Sequence, residues 1–144
     1  MATGHLFMTK KEINNDIENY YKLSIQVSLN GLSFCIVDTI ANTIKEFKRR
    51  SFGKELSPYE LQKELKQLFR ESNIEGYSFS EVVVIHKNNL FSLVPKPLFD
   101  TAELANYLKF NVKILANDLV EYDEIDSYDL VNVYVPFVNI NNYI

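Results

Sequence analysis

The sequence predicts an α/β domain with the element order βββαβ, a mixed sheet and flanking helices. Three observations lead there. Apolar and polar residues alternate on both sides of Asn30-Gly31, Ser57-Pro58-Tyr59-Glu60 carries a helix-start signature, and Val82-Val83-Val84-Ile85 is apolar throughout.

The first pair of strands has the clearest pattern. Leu23, Ile25, Val27 and Leu29 alternate with Lys22, Ser24, Gln26 and Ser28, a period of two that buries one set. Asn30-Gly31 suits a two-residue type I′ turn, because both residues tolerate positive φ. That turn pairs Leu29 with Leu32, Val27 with Phe34 and Ile25 with Ile36 on the apolar face. The other face then pairs Ser28 with Ser33 and Gln26 with Cys35. The third strand, Thr43 to Phe52, intersperses Thr43, Ile44, Phe47 and Phe52 with Lys45, Glu46, Lys48, Arg49 and Arg50. Such charge belongs at a sheet edge, where it discourages pairing with another chain. The four cations also form a candidate anion-binding patch, although a solvated edge accounts for them more simply in an acidic chain.

A helix follows. Ser57 caps it, Pro58 fits its first turn and Glu60 completes a capping box. Leu61, Leu65, Leu68 and Phe69 fall on one stripe, and Asn73 and Gly76 end the helix. The run at residues 82–85 lacks alternation, which predicts a strand buried on both faces. A right-handed crossover would lay it beside the first strand, parallel to it. Lys87-Asn88-Asn89 reads as a turn and Leu90 to Val94 as a short strand stopped by Pro95 and Pro97. Asp100 to Glu103 caps a short helix through Leu108. The acidic stretch from Asp118 to Asp129 reads as a solvated loop. Leu130 to Val138 is strongly β-forming, and Asn139 caps a helix that barely begins. At the other end, Thr9 to Asn19 is polar around Ile13 and Ile17, which reads as a frayed arm or one helical turn. Met8 is an alternative start, which would make the first seven residues a leader or a remnant.

Composition excludes several function classes. The 144 residues, 47% hydrophobic and 24% charged, fit one globular domain rather than a disordered chain. A net charge of -4 leaves no basic face for nucleic acid, so no nucleic-acid partner is expected. A single cysteine, Cys35, rules out an internal disulfide framework and a multi-cysteine zinc site. No stretch approaches the ~20 apolar residues of a membrane span, so no membrane partner is expected either. With no export signal and a lone thiol, the expected location is the cytoplasm.

Few residues suggest chemistry. Cys35 would need a base to act as a nucleophile, and His86 is the candidate; a buried thiol and a strand-end histidine are the simpler explanation. The acidic stretch lacks the spacing, the glutamate and the glycine of a calcium loop. Val131, Val133, Val135 and Phe137 form an apolar strand that, left uncovered, would drive a homodimer.

The run Lys22-Leu23-Ser24-Ile25 through Asn30-Gly31-Leu32-Ser33-Phe34-Cys35-Ile36, with Phe91 to Pro95 and Leu98-Phe99-Asp100, resembles a bacterial family of uncharacterised proteins, the domain of unknown function 3822 family. The resemblance implies an actin-like ATPase fold, in which two lobes of ribonuclease-H-like topology enclose a nucleotide. Family members are longer. After the flexible arm that composition suggests over residues 1–20, the resemblance therefore implies an actin-like first lobe over 21–138 and the start of a truncated second lobe over 139–144.

Actin-like folds carry an Asp-x-Gly phosphate loop at the first hairpin. Here the turn is Ser28-Leu29-Asn30-Gly31-Leu32-Ser33, without a carboxylate to anchor a magnesium-bound phosphate. If a nucleotide binds, the resemblance assigns it to Ser28, Asn30, Gly31 and Ser33. A ribonuclease-H-type nuclease would need converging carboxylates, one of them on the first strand. That strand has none; Asp38 ends the second strand and Glu64 lies on the helix, neither with a partner that the sequence places nearby. The expectation is therefore a cytoplasmic scaffold or interaction domain without catalytic residues, cofactor or metal. Its partner would be an unknown protein or the missing second lobe. The alternative is an actin-like nucleotide-binding protein that needs that lobe.

Overall fold

The computed structural model describes residues 6–12 and 20–144, with side chains from Tyr20 onward. Ile13 and Ile17 lie outside the described residues. The chain divides into two compact units. One takes in residues 8–85 and 139–144, the other residues 86–138 together with the first seven.

The larger unit is built on a mixed five-stranded sheet. Its strands are β1 (Leu6–Glu12), β2 (Tyr21–Ser28), β3 (Gly31–Asp38), β4 (Thr43–Ser51) and β5 (Phe79–Lys87), in the order β1-β5-β2-β3-β4. The βββαβ order is present, the strand after the crossover lies beside β2, and the charged β4 is an edge. Residues 6–12 form the opposite edge strand rather than a frayed arm. Thr9, Lys10, Lys11 and Glu12 make β1 as polar as β4, and an edge strand tolerates that polarity because half its backbone faces no neighbour.

The hairpin keeps its predicted faces but shifts its register by two residues. Val27 pairs with Leu32, Ile25 with Phe34 and Leu23 with Ile36, while Ser24 stands opposite Cys35 and Gln26 opposite Ser33. The two connecting residues are Leu29 and Asn30, and Gly31 opens β3. Neither Asn30 nor Gly31 has positive φ, so the primed turn does not form. A shift of two preserves which side chains point inward, so hydrophobic burial alone could not choose between the two registers.

Helix α1 (Pro58–Glu71) covers one face of this sheet. Its capping box forms as predicted: Ser57 Oγ accepts from the Glu60 N–H, and Glu60 Oε2 accepts from the Ser57 N–H at 2.8 Å. Asn73, in the left-handed region, terminates it. Leu61, Leu65, Leu68 and Phe69 are buried with Leu23, Ile25, Val27, Leu32, Phe34 and Ile36, and the Phe34 and Phe69 rings meet edge to face. Each such side chain contributes roughly 1.5–3 kcal/mol of hydrophobic stabilisation. β5 is not buried on both faces as its composition predicted. Val82 and Val84 are buried, whereas Val83 and Ile85 are only half-buried. Helix α3 (Val138–Tyr143) contributes residues 139–144 to this same unit. Ile140 is fully buried, Asn139 Nδ2 donates to the Pro58 carbonyl at 2.7 Å, and the Tyr143 ring lies against Phe69. The last residues thus pack on α1.

The smaller unit holds a three-stranded antiparallel sheet of β6 (Phe91–Pro95), β7 (Glu121–Ile125) and β8 (Leu130–Tyr134), in the order β6-β8-β7. β7 occupies part of the acidic stretch that read as a loop. Charge along Glu121, Asp123 and Glu124 hid it, yet charge is what an edge position accepts. A helix α2 (Leu104–Leu108) follows the Asp100 cap, whose side chain accepts from the Ala102 N–H. Val94, Leu108, Val131, Val133 and Val135 form the core. The valines expected to lie uncovered are therefore buried on the central strand, and Phe137 is buried too. In the turn before β6, Asn88 Oδ1 accepts from the Leu90 N–H and Asn88 Nδ2 donates to the Val135 carbonyl.

Candidate functional site

The β2–β3 turn holds Ser28, Asn30 and Gly31. Ser28 Oγ lies 2.9 Å from Asn30 Oδ1 and 3.0 Å from the Gly31 carbonyl, so its single proton is engaged inside the turn. The segment after β4 straps this turn from outside. The Asn30 carbonyl accepts from the Phe52 N–H at 2.9 Å, and the Leu29 carbonyl from the Leu56 N–H at 2.7 Å. Gly31 sits between two partners, Ser28 in β2 and Ser51 in β4. A Cβ at Gly31 would come within 3.2 Å of the Arg50 carbonyl. The glycine is thus explained by the close approach of β4, without any phosphate. Ser33 lies farther along the sheet, between Gln26 and Arg49.

The other candidate residues do not assemble into a site. Among the described residues, no three His, Cys, Asp or Glu side chains stand close enough to hold a metal ion. Asp38 Oδ1 accepts from the Ile40 and Ala41 N–H groups, which makes it the cap of the β3–β4 turn. Glu64 pairs with Arg50 Nη1 at 3.1 Å. Both carboxylates therefore serve structure. His86 is fully buried; its Nδ1 accepts from the Phe137 N–H at 3.3 Å and its ring lies against that phenyl. Cys35 is half-buried on β3, opposite Ser24 and Phe47 rather than Gln26.

The four cations of β4 do not act as one patch. Strand alternation sends Lys48 and Arg50 toward α1. Arg50 bridges Glu64 and Glu71, the latter at 2.7 Å, while Lys48 meets Glu46 and donates to Ser72 Oγ. Gln67 first, and Arg50 after it, hold the Glu71 carboxyl below its ordinary value. Arg49 is exposed on the other face, and Lys45 is exposed at a bulge in the β3–β4 ladder.

This hairpin-and-helix architecture has known counterparts. Residues 10–144 match the family described as "Protein of unknown function (DUF3822)". The chain belongs to that family. Its fold is similar to a crystal structure from Bacteroides thetaiotaomicron, a protein with actin-like ATPase fold and unknown function, at TM-score 0.71 and 23% identity. The match covers 87% of this chain and 48% of that one, so this DUF3822 chain spans about half the length of its solved counterpart. No curated protein matches it. The fold of this DUF3822 member is therefore actin-like. What sequence reasoning passed over is the exposed pair Ile44 and Phe47 on β4. No period-two signal marked them: they stand three residues apart, and the bulge opposite Ile36/Val37 is what places them on one face.

Proposed function

We propose that this chain is a non-catalytic scaffold or protein-interaction domain built on an actin-like first lobe. One observation carries the reading: the turn that would cradle phosphate has no carboxylate, and its Ser28 hydroxyl and its Leu29 and Asn30 carbonyls are engaged within the turn and with residues 52 and 56. A magnesium-bound triphosphate asks for an anionic oxygen ligand, directly or through water, and Asn30 and the serines carry no charge. The lone thiol Cys35 and the want of any membrane-crossing helix among the described residues support a cytoplasmic setting. A second reading stands beside this one because the solved counterpart is about twice as long and bears an actin-like ATPase fold. In it, the remaining nucleotide contacts come from a second lobe.

Calorimetry with Mg-ATP on this chain and on a longer family member separates the two readings. The scaffold reading expects no saturable heat from either protein. Saturable binding by the longer protein alone supports the second reading, and binding by this chain at the turn overturns the first.

A further inference from the structure

We infer that the face of the large sheet opposite α1, at β3 and β4, is a docking surface for an acidic amphipathic helix of a partner protein. This deepens the interaction-domain reading and rests on it.

The surface follows from register. Ser33 pairs with Arg49, Cys35 with Phe47 and Val37 with Ile44, so these six residues share the face turned away from α1. Phe47 is 62% and Ile44 66% exposed, beside the half-buried Cys35 and Val37. Lys22 and Glu81, joined at 2.6 Å, mark the same face on β2 and β5, and alternation from Glu81 adds the half-buried Val83 and Ile85. This face is thus half-open at the valine-rich β5 and again, two strands away, at the exposed Phe47 of β4.

Charge defines the occupant. Lys45 and Arg49 are exposed and make no ion pair among the described residues, whereas Lys48 and Arg50 on the opposite face are both neutralised. The neutralising element there is α1, whose leucine stripe packs on the sheet while Glu64 and Glu71 reach Arg50. β4 therefore presents cations beside apolar side chains on both faces, and one face already holds a leucine-striped helix with acidic flanks. The same chemistry fits the other face. A strand is the poorer occupant, because the bulge at Ile36/Val37 and the charges of β4 disrupt the edge it would extend.

The test uses the whole chain labelled with nitrogen-15. The probe is a synthetic peptide with leucines at helical spacing and glutamates on its remaining surface; a second peptide replaces every glutamate by lysine. The glutamate peptide is expected to shift the amide signals of Cys35, Val37, Ile44, Phe47 and Arg49, with binding that weakens as salt rises. Phe47→Ser should weaken it by about tenfold and Arg49→Glu by severalfold, while Phe110→Ser, an exposed aromatic of the smaller unit, should leave it unchanged. No shifts, shifts elsewhere, or equal binding of the lysine peptide would overturn the proposal. So would concentration-dependent self-association abolished by Phe47→Ser, which would make a second copy the occupant. Mg-ATP calorimetry reads the turn and not this face, so the two readings fail separately.

Discussion

The two sheets solve burial in opposite ways. In β2 and β3 of the five-stranded sheet, apolar and polar residues alternate; one face of the sheet packs on α1 and the other stays partly open at Ile44 and Phe47. In the three-stranded sheet, the central strand β8 is buried at every position from Val131 to Tyr134, polar residues included. Asn132 there is 2% exposed, and its Oδ1 has no hydrogen-bond partner among the described residues. Burial, and then the charge of Asp123, push the Tyr134 phenol above its ordinary pKa. The lesson is that a single open face makes a strand legible and tolerant, whereas burial on both sides forces polar groups into positions they do not favour.

Three experiments would break or sharpen that contrast. The largest effect is expected at Phe34, which fills the α1-covered face against Phe69. Phe34→Ala should cost about 3–5 kcal/mol in chemical denaturation, while Phe47→Ala on the open face stays within about 0.5 kcal/mol. Equal losses would mean that the two faces are equally covered.

The next effect has the opposite sign. Replacing Asn132 by leucine, of similar volume, removes an unpaired buried oxygen and should raise stability by about 1 kcal/mol. A loss of that size would show that the amide is satisfied in solution, and the contrast between the sheets would shrink.

The smallest effect is a change of slope with pH. Glu60, through its hydrogen bonds from Ser57, and Glu71, through Gln67 and then Arg50, both have carboxyls below the ordinary value of 4.5. A carboxyl lowered on folding contributes stability that is complete above 4.5 and is lost as pH falls through the folded value. Melting temperatures taken down the acid limb should therefore fall less steeply in a Glu60→Gln, Glu71→Gln variant. Parallel limbs would place the acid sensitivity elsewhere.

Legibility varied with the kind of signal. The α1 capping box was readable because its parts are adjacent in sequence and complete one another locally. β4 was readable as an edge from its charges. β1 and β7 obey the same rule, yet their charges read as arm and loop because neither carried alternation or a turn signal. The hairpin faces were readable and the register was not, because Gly31 answers to the Arg50 carbonyl of β4 rather than to its own turn. The candidate site was legible only as residues: Ser28 and Asn30 could be named, but not the straps from Phe52 and Leu56 that occupy the turn.

By itself, the sequence determined the βββαβ order, the inward faces of β2 and β3, the start of α1 and the want of a carboxylate at the turn. Each of these depends on residues close together in the chain, through periodicity, capping or simple presence. The tertiary structure alone decided the hairpin register, the return of residues 139–144 to α1, the burial of Asn132 and the division of β4's cations between a face with ion pairs and one without them among the described residues. Those depend on which distant segment arrives on each surface, and local pattern carries no record of that arrival.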